Sequence, residues 1–270
     1  MVVVESGGTK STWVFSDTEG RQQTVSSVGL HPRELSSEKT ALVNSLVSEY
    51  KLQNKALYFF GAGCESTEAK AEIKQFLTNL GLKVKQVETD VYAACIAHLG
   101  NKKGIVGILG TGAVAAQFDG HKIVQQTSGL GYMLGDEGSG FDIGKRMLQA
   151  YFRNELSTEI RQAIESYFSN KSILHQIYAP DGRKTVAGLT KIALKHRDFT
   201  EIQQILRDSF TDFFETALRP LETVKEVFLI GSIAFYFQEE LSKALSLKGC
   251  VVSDIEKEAV FKAYHFLSRS

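Results

Sequence analysis

Ile105-Val106-Gly107-Ile108-Leu109-Gly110-Thr111-Gly112-Ala113-Val114-Ala115-Ala116-Gln117-Phe118 is the stretch that decides how this chain folds. Ile105 to Leu109 is an apolar run of strand length, Gly110-Thr111-Gly112 is a turn, and Ala113 to Phe118 resumes a strand. Asp119-Gly120 then marks a hairpin into Lys122 to Gln125. The chain opens in the same order. Val2 to Val4 is a short β-branched run ending at Ser6-Gly7-Gly8, Ser11 to Ser16 is strand-like, and Asp17-Thr18-Glu19-Gly20 turns into a third strand near Gln22 to Ser27. Strand, glycine turn, strand, turn, strand therefore occurs twice, about a hundred residues apart. Two α/β halves are expected, each starting from a hairpin closed by glycines.

The segments beyond each hairpin support this division. In the first half Leu42, Val43, Leu46, Val47 and Tyr50 recur at helical spacing, and Ala56 to Phe60 is an apolar strand ending in Gly61-Ala62-Gly63. Ala69, Ile73, Phe76, Leu77 and Leu80 form the stripe of another helix, followed by a strand around Val84 to Val87. In the second half helices are predicted near 140–152, 157–168, 185–196 and 199–218, then a strand from Glu226 to Ile230 ending in Gly231-Ser232, then a helix. A final helix from about Lys257 carries Val260, Phe261, Tyr264 and Leu267.

Composition bounds what such a chain can do. With 270 residues and 43% hydrophobic content it should build about two domains with real cores. Lys plus Arg and Asp plus Glu number 31 each, so no basic field is present to hold nucleic-acid phosphates or an anionic membrane surface. No apolar run approaches a membrane helix, and Glu5 follows Met1 too closely for a secretory leader, so a cytoplasmic location is expected. Cys64, Cys95 and Cys250 are far apart and form no C-x-x-C pair, which argues against a zinc or iron–sulfur site within one chain. His98, His121, His175, His196 and His265 show no ligand-like spacing either.

The candidate chemistry lies in the turns. Glycine permits positive φ and close backbone approach, so N–H groups can be aimed at phosphate oxygens, and threonine adds a hydroxyl. Gly7-Gly8-Thr9-Lys10 and Gly110-Thr111-Gly112 are thus candidate phosphate turns, with ordinary tight turns as the competing reading. The Gly7 turn precedes a strand, where the turn of a P-loop precedes a helix. Ser128-Gly129-Leu130-Gly131-Tyr132-Met133-Leu134-Gly135-Asp136-Glu137-Gly138-Ser139-Gly140 is the densest cluster, with five glycines, two acids and two serines in thirteen residues. It reads as a polar ligand site in which Asp136 or Glu137 binds hydroxyls or a metal's water shell, or caps the following helix. Asp90 sits between a strand and the helix start Val91-Tyr92-Ala93-Ala94. There it could accept a proton from a hydroxyl at the strand ends, where open α/β sheets bind ligands, or serve as an N-cap.

Together these residues resemble the BadF/BadG/BcrA/BcrD-type ATPases and N-acetylglucosamine kinases of the sugar kinase, Hsp70 and actin superfamily. The resemblance spans nearly the whole chain and is carried by Glu5 to Lys10, Thr89-Asp90, Leu109 to Gly112, the block from Gly129 and Ile230-Gly231-Ser232. It implies an α/β fold of two ribonuclease-H-like domains flanking an ATP cleft, residues 1–100 and 101–256, with residues 257–270 packing back on the first. It implies that Gly7, Gly8, Thr9 and Lys10 form the first phosphate loop, that Gly110, Thr111 and Gly112 form the second, and that Gly231 and Ser232 lie against the adenosine. Asp90 would be the catalytic base. Gly129, Leu130, Gly131 and Asp136 would contact sugar, and Glu5 would hold Mg²⁺ through water. The implied reaction transfers the γ-phosphoryl of MgATP to the 6-hydroxyl of N-acetylglucosamine, and family analogy admits a homodimer.

Departures from the family pattern bear on the sugar. His31 stands where the kinases place an Asn that contacts sugar hydroxyls, Ala113 replaces a frequent Ser, and Leu130 replaces a Trp of some relatives. An activator ATPase of the benzoyl-CoA reductase type, which bridges an iron–sulfur cluster through paired cysteines, and a nucleotide sensor without turnover are the alternatives.

Overall fold

The computed structural model describes residues 1–7, 10–17, 19–169, 172–221 and 224–269. The chain divides into two compact units, Met1–Asn101 with Glu258–Ser270, and Lys102–Lys257.

Unit 1 begins with strands β1 (Val2–Ser6), β2 (Lys10–Ser16) and β3 (Gln22–Val28), followed by α1 (Ser37–Glu49), β4 (Ala56–Gly61), α2 (Thr67–Asn79), β5 (Lys83–Glu88) and α3 (Asp90–Leu99). The sheet order is β3-β2-β1-β4-β5, with β1, β4 and β5 parallel and β2 antiparallel to its neighbours. Val2, Val3 and Val4 are all buried because both faces of β1 are covered, which explains an apolar run without alternation. On one face Val2, Val4, Trp13 and Phe15 pack with Val43, Val47 and Ile73 of α1 and α2. The C-terminal helix, Val260–Leu267, packs against α3, β1 and β2. It is tied down by a 2.7 Å hydrogen bond between Tyr264 Oη and Ser16 Oγ.

Unit 2 repeats the plan. β6 (Gly104–Leu109), β7 (Ala113–Phe118) and β8 (Ile123–Ser128) form the meander, in which the Asp119 carboxylate accepts the N–H groups of His121 and Lys122 to close the second turn. There follow α4 (Gly140–Phe152), α5 (Thr158–Tyr167), α6 (Ile173–Ile177), α7 (Gly182–Gly188), α8 (Thr190–Lys195), α9 (Thr200–Phe213), β9 (Glu226–Ile230), α10 (Ser232–Tyr236), α11 (Gln238–Ser246) and β10 (Val251–Glu256). The sheet order, β8-β7-β6-β9-β10, matches that of unit 1, and β6, β9 and β10 run parallel.

Three local readings of the sequence need correction. The helix expected over 185–196 is two short ones, α7 and α8, meeting at Leu189. The long helix over 199–218 leaves α-geometry at Phe214 and finishes as a π-turn, Phe214–Leu218. Strand β10 has no counterpart in the sequence reading; Val251-Val252-Ser253-Asp254-Ile255-Glu256 is half polar because it is the sheet's edge and is only partly buried.

Candidate active site

In each unit the carboxyl ends of the parallel strands share one edge, and most of the candidate residues lie along those two edges. In unit 1, Gly7 donates to the Lys10 carbonyl at 2.9 Å and closes the β1–β2 turn; Gly8 and Thr9 lie outside the described residues. Lys10 Nζ is 3.6 Å from Glu258 Oε1 in a partly exposed pair. Ser6 Oγ accepts the Leu30 N–H at 2.8 Å and the Ser11 hydroxyl at 2.8 Å, which anchors the chain leaving β3 to the end of β1.

That anchor places His31. Its Nδ1 accepts the Arg33 N–H at 3.2 Å as the N-cap of the short turn Pro32–Glu34. The neutral ring therefore carries its proton on Nε2. The ring lies on the backbone of Gly63 in the turn after β4: a Cβ there would fall 2.4 Å from Nε2, and φ is +84°. His31 is positioned by the Gly61-Ala62-Gly63 turn, a contact that no local sequence signal announces.

At the β5–α3 junction the structure separates two roles. Thr89 is the N-cap, its Oγ1 accepting the Tyr92 N–H at 3.1 Å, and Asp90 is the first helical residue, its Oδ1 accepting the Val91 N–H at 2.9 Å. Desolvation raises the Asp90 pKa, and the charge of Glu65 adds to the rise. Glu5, at the end of β1, is pushed up to about 7, chiefly by burial and then by the charges of Asp90 and Glu258; N–H groups of Val260 and Ala259 oppose the shift. Glu5 Oε2 accepts the Val260 N–H at 2.8 Å, so this acid also holds the start of the C-terminal helix. Glu5, Asp90, Glu65 and Glu258 thus lie in one electrostatic neighbourhood, of which the sequence reading found the first two.

In unit 2 the second glycine turn sits on the start of α4. The Gly110 and Thr111 carbonyls accept the N–H groups of Gly140 at 2.8 Å and Phe141 at 3.3 Å, and Ser139 Oγ caps the helix by accepting from Asp142 N. Gly129 donates to the Ala113 carbonyl at 3.1 Å, joining the start of the glycine block to the same turn. Gly131 is bonded within the loop, its carbonyl accepting from Leu134 and Gly135, and Leu130 is exposed. Gly231, at φ +118°, donates to the Glu256 carbonyl at 2.9 Å and precedes Ser232, the first residue of α10.

Asp136, which the resemblance sets against sugar, is tied to its own unit. It is buried; Oδ1 accepts the Ala113 N–H at 3.2 Å and Oδ2 is 3.1 Å from Arg183 Nη2. Both oxygens are engaged inside unit 2, so the residue braces the second glycine turn against α7. Glu137 does not cap α4, since Ser139 does. A polar cavity of about 470 Å³ beside Thr111, lined in part by Lys184, Thr185 and Lys191, was not foreseen. Its only sequence sign is the basic run of the short helices, which also suits a solvated face.

No family model matches the chain. An N-acetylmuramic acid/N-acetylglucosamine kinase of Clostridium acetobutylicum is 29% identical over 140 residues, which is 48% of this chain and 46% of that protein. The chain thus spans about half the length of the curated relative it matches. A provisionally named N-acetylglucosamine kinase of Porphyromonas gingivalis superposes with a TM-score of 0.88 at 26% identity, covering 100% of both chains. A ROK family glucokinase of Streptomyces griseus, solved with glucose and AMPPNP, shares the fold at a TM-score of 0.56 and 15% identity, covering 100% of this chain and 99% of that one. The chain thus has the fold of these sugar kinases and is similar in sequence to proteins named as N-acetylglucosamine kinases.

Proposed function

We propose that the chain is an ATP-dependent amino-sugar kinase that phosphorylates the 6-hydroxyl of N-acetylglucosamine, acting in the cytoplasm. The observation that carries this reading is the division at the β5–α3 junction: Thr89 does the capping, which leaves a desolvated Asp90 at a strand end for proton transfer. The named activities of the Clostridium and Porphyromonas relatives support the substrate class.

In this mechanism Asp90 accepts the proton of the sugar hydroxyl as its oxygen bonds to the γ-phosphorus and the bond to the β-phosphate oxygen breaks, releasing ADP. A raised pKa makes the carboxylate a stronger base near neutral pH. By the resemblance, each glycine turn would offer backbone N–H groups to phosphate oxygens, and Lys10 would exchange Glu258 for phosphate. Mg²⁺ bound with ATP would supply further neutralisation of the phosphate charge. Glu5 would hold it through water, and the fit rests on a desolvated carboxyl in the field of Asp90, a repulsion that a cation relieves. His31 would offer its Nε2–H where an amide offers both a donor and an acceptor, so it selects among sugar oxygens by donation.

All three cysteines are buried and free, and burial pushes the thiols up to about 12, 12 and 11 for Cys64, Cys95 and Cys250. That setting is unfavourable to the cluster-bridging activator, which needs accessible thiolates.

The test is ADP release from MgATP with N-acetylglucosamine, N-acetylmuramate, glucosamine, N-acetylmannosamine and glucose against a no-sugar blank. Stimulation confined to the amino sugars is expected. A flat panel with ATP still bound would overturn the reading.

A further inference from the structure

Unit 2 contains a cavity of about 740 Å³ that the kinase reading leaves unused. It lies between α4, α6, the 178–180 turn and α7, with Tyr132 and Met133 of the glycine block at its edge. Its volume falls in the range of small-molecule sites, about 300–1,000 Å³. Leu148, Ile177 and Val186 form its apolar walls, and the exposed side chains of Met133, Phe152 and Tyr178 stand around it.

The polar residues of the lining are one-sided. Lys145, Arg153 and Arg183 face it, and no Asp or Glu is among the described residues that line it. Lys145 is held 3.1 Å from Asp142 and Arg183 3.1 Å from Asp136, while Arg153 makes no ion pair among the described residues. An apolar cavity ringed by cations is complementary to an anion with a hydrophobic body.

We propose that this cavity binds a small amphipathic organic anion, an aromatic or short-acyl carboxylate or sulfonate, and that its occupancy is transmitted to the second glycine turn. The link is Arg183. It lines the cavity, lies over the Tyr132 ring at 5.5 Å, and neutralises the buried Asp136 that accepts the Ala113 N–H. A buried carboxylate depends on its counter-ion, so an anion that shares the guanidinium loosens the bond to Ala113.

The experiment uses the full chain and 8-anilinonaphthalene-1-sulfonate, followed by titration calorimetry and by amide exchange, and needs neither ATP nor sugar. One saturable site is expected. Neutral N-phenyl-1-naphthylamine should bind at least tenfold more weakly. Arg153→Glu, at an exposed position, should weaken the sulfonate at least tenfold, Ala179→Trp should block it, and Lys85→Glu, at an exposed position that does not line the cavity, should leave it unchanged. Exchange at Ala113 should quicken several-fold on binding. Absence of saturable binding, or binding indifferent to Arg153→Glu and Ala179→Trp, overturns the site. Sedimentation showing copies associated through this face, and separated by Ala179→Trp, also overturns it, because the occupant is then a second copy. Binding with unchanged Ala113 exchange overturns the link to the turn.

Discussion

Thr89 and Asp90 divide two tasks that a single acid at a strand-to-helix junction could have been given. Because the capping bond belongs to Thr89, Asp90→Asn should leave α3 in place. Phosphoryl transfer is expected to fall by about 10²–10⁴-fold, the usual worth of a general base, while ATP affinity stays within about twofold; sugar-dependent ADP release and calorimetry with ATP check both. Equal loss of the two would make Asp90 structural. Glu5 gives a pH signature. Its folded pKa of about 7 lies above the ordinary 4.5, so the folded state binds the extra proton between those values. Stability from this group is therefore greatest below about 4.5 and declines as pH rises to about 7, by at most about 3 kcal/mol. Glu5→Gln, which keeps an acceptor for Val260, should flatten the fall of Tm over that window. A wild-type and variant pair with parallel Tm profiles would show that Glu5 is ionised normally.

Among the elements, the end of β9 is the most constrained junction. A Cβ on Gly231 would lie 2.3 Å from the Leu109 carbonyl oxygen, and its φ of +118° disfavours a side chain in any case. Gly231→Ala is expected to cost more than about 2 kcal/mol in urea unfolding, by strain at a special backbone position. A loss below about 0.5 kcal/mol would mean that β6 and β9 can part there. The same junction shows what could be read beforehand. The apolar runs of β1, β4, β6 and β9 were legible because buried parallel strands carry continuous hydrophobic residues. Gly231 was legible as a turn, but β10, whose Glu256 carbonyl accepts its N–H, was not, since edge strands lose that pattern. The candidate site was legible where chemistry is local, as at Asp90 and the Gly110 turn. It was not legible where tertiary contact decides, as in the commitment of Asp136 to Arg183 or the seating of His31 on Gly63.

At the scale of the whole molecule, the repeated sheet order makes each unit a complete layered fold with its own core. Unit 2 is continuous in sequence, whereas unit 1 is assembled from residues 1–101 and 258–270. Ending the chain at Lys257 should uncover the face of β1 and β2 that Val260, Ala263 and Tyr264 cover, and should leave Glu5 without its amide partner. Limited proteolysis is expected to cut within 1–101 while 102–257 survives as a protected fragment. Uniform resistance, or uniform digestion, would show that the C-terminal helix is dispensable to unit 1 or that the units do not fold independently.

The discontinuity of unit 1 also orders events during translation. Residues 102–257 form one continuous module, while the earlier-made β1 to α3 segment keeps an open apolar face until residues 258–270 follow. Unit 1 is thus begun before unit 2 and completed after it, and the period of exposure to chaperones is set by the time needed to translate unit 2.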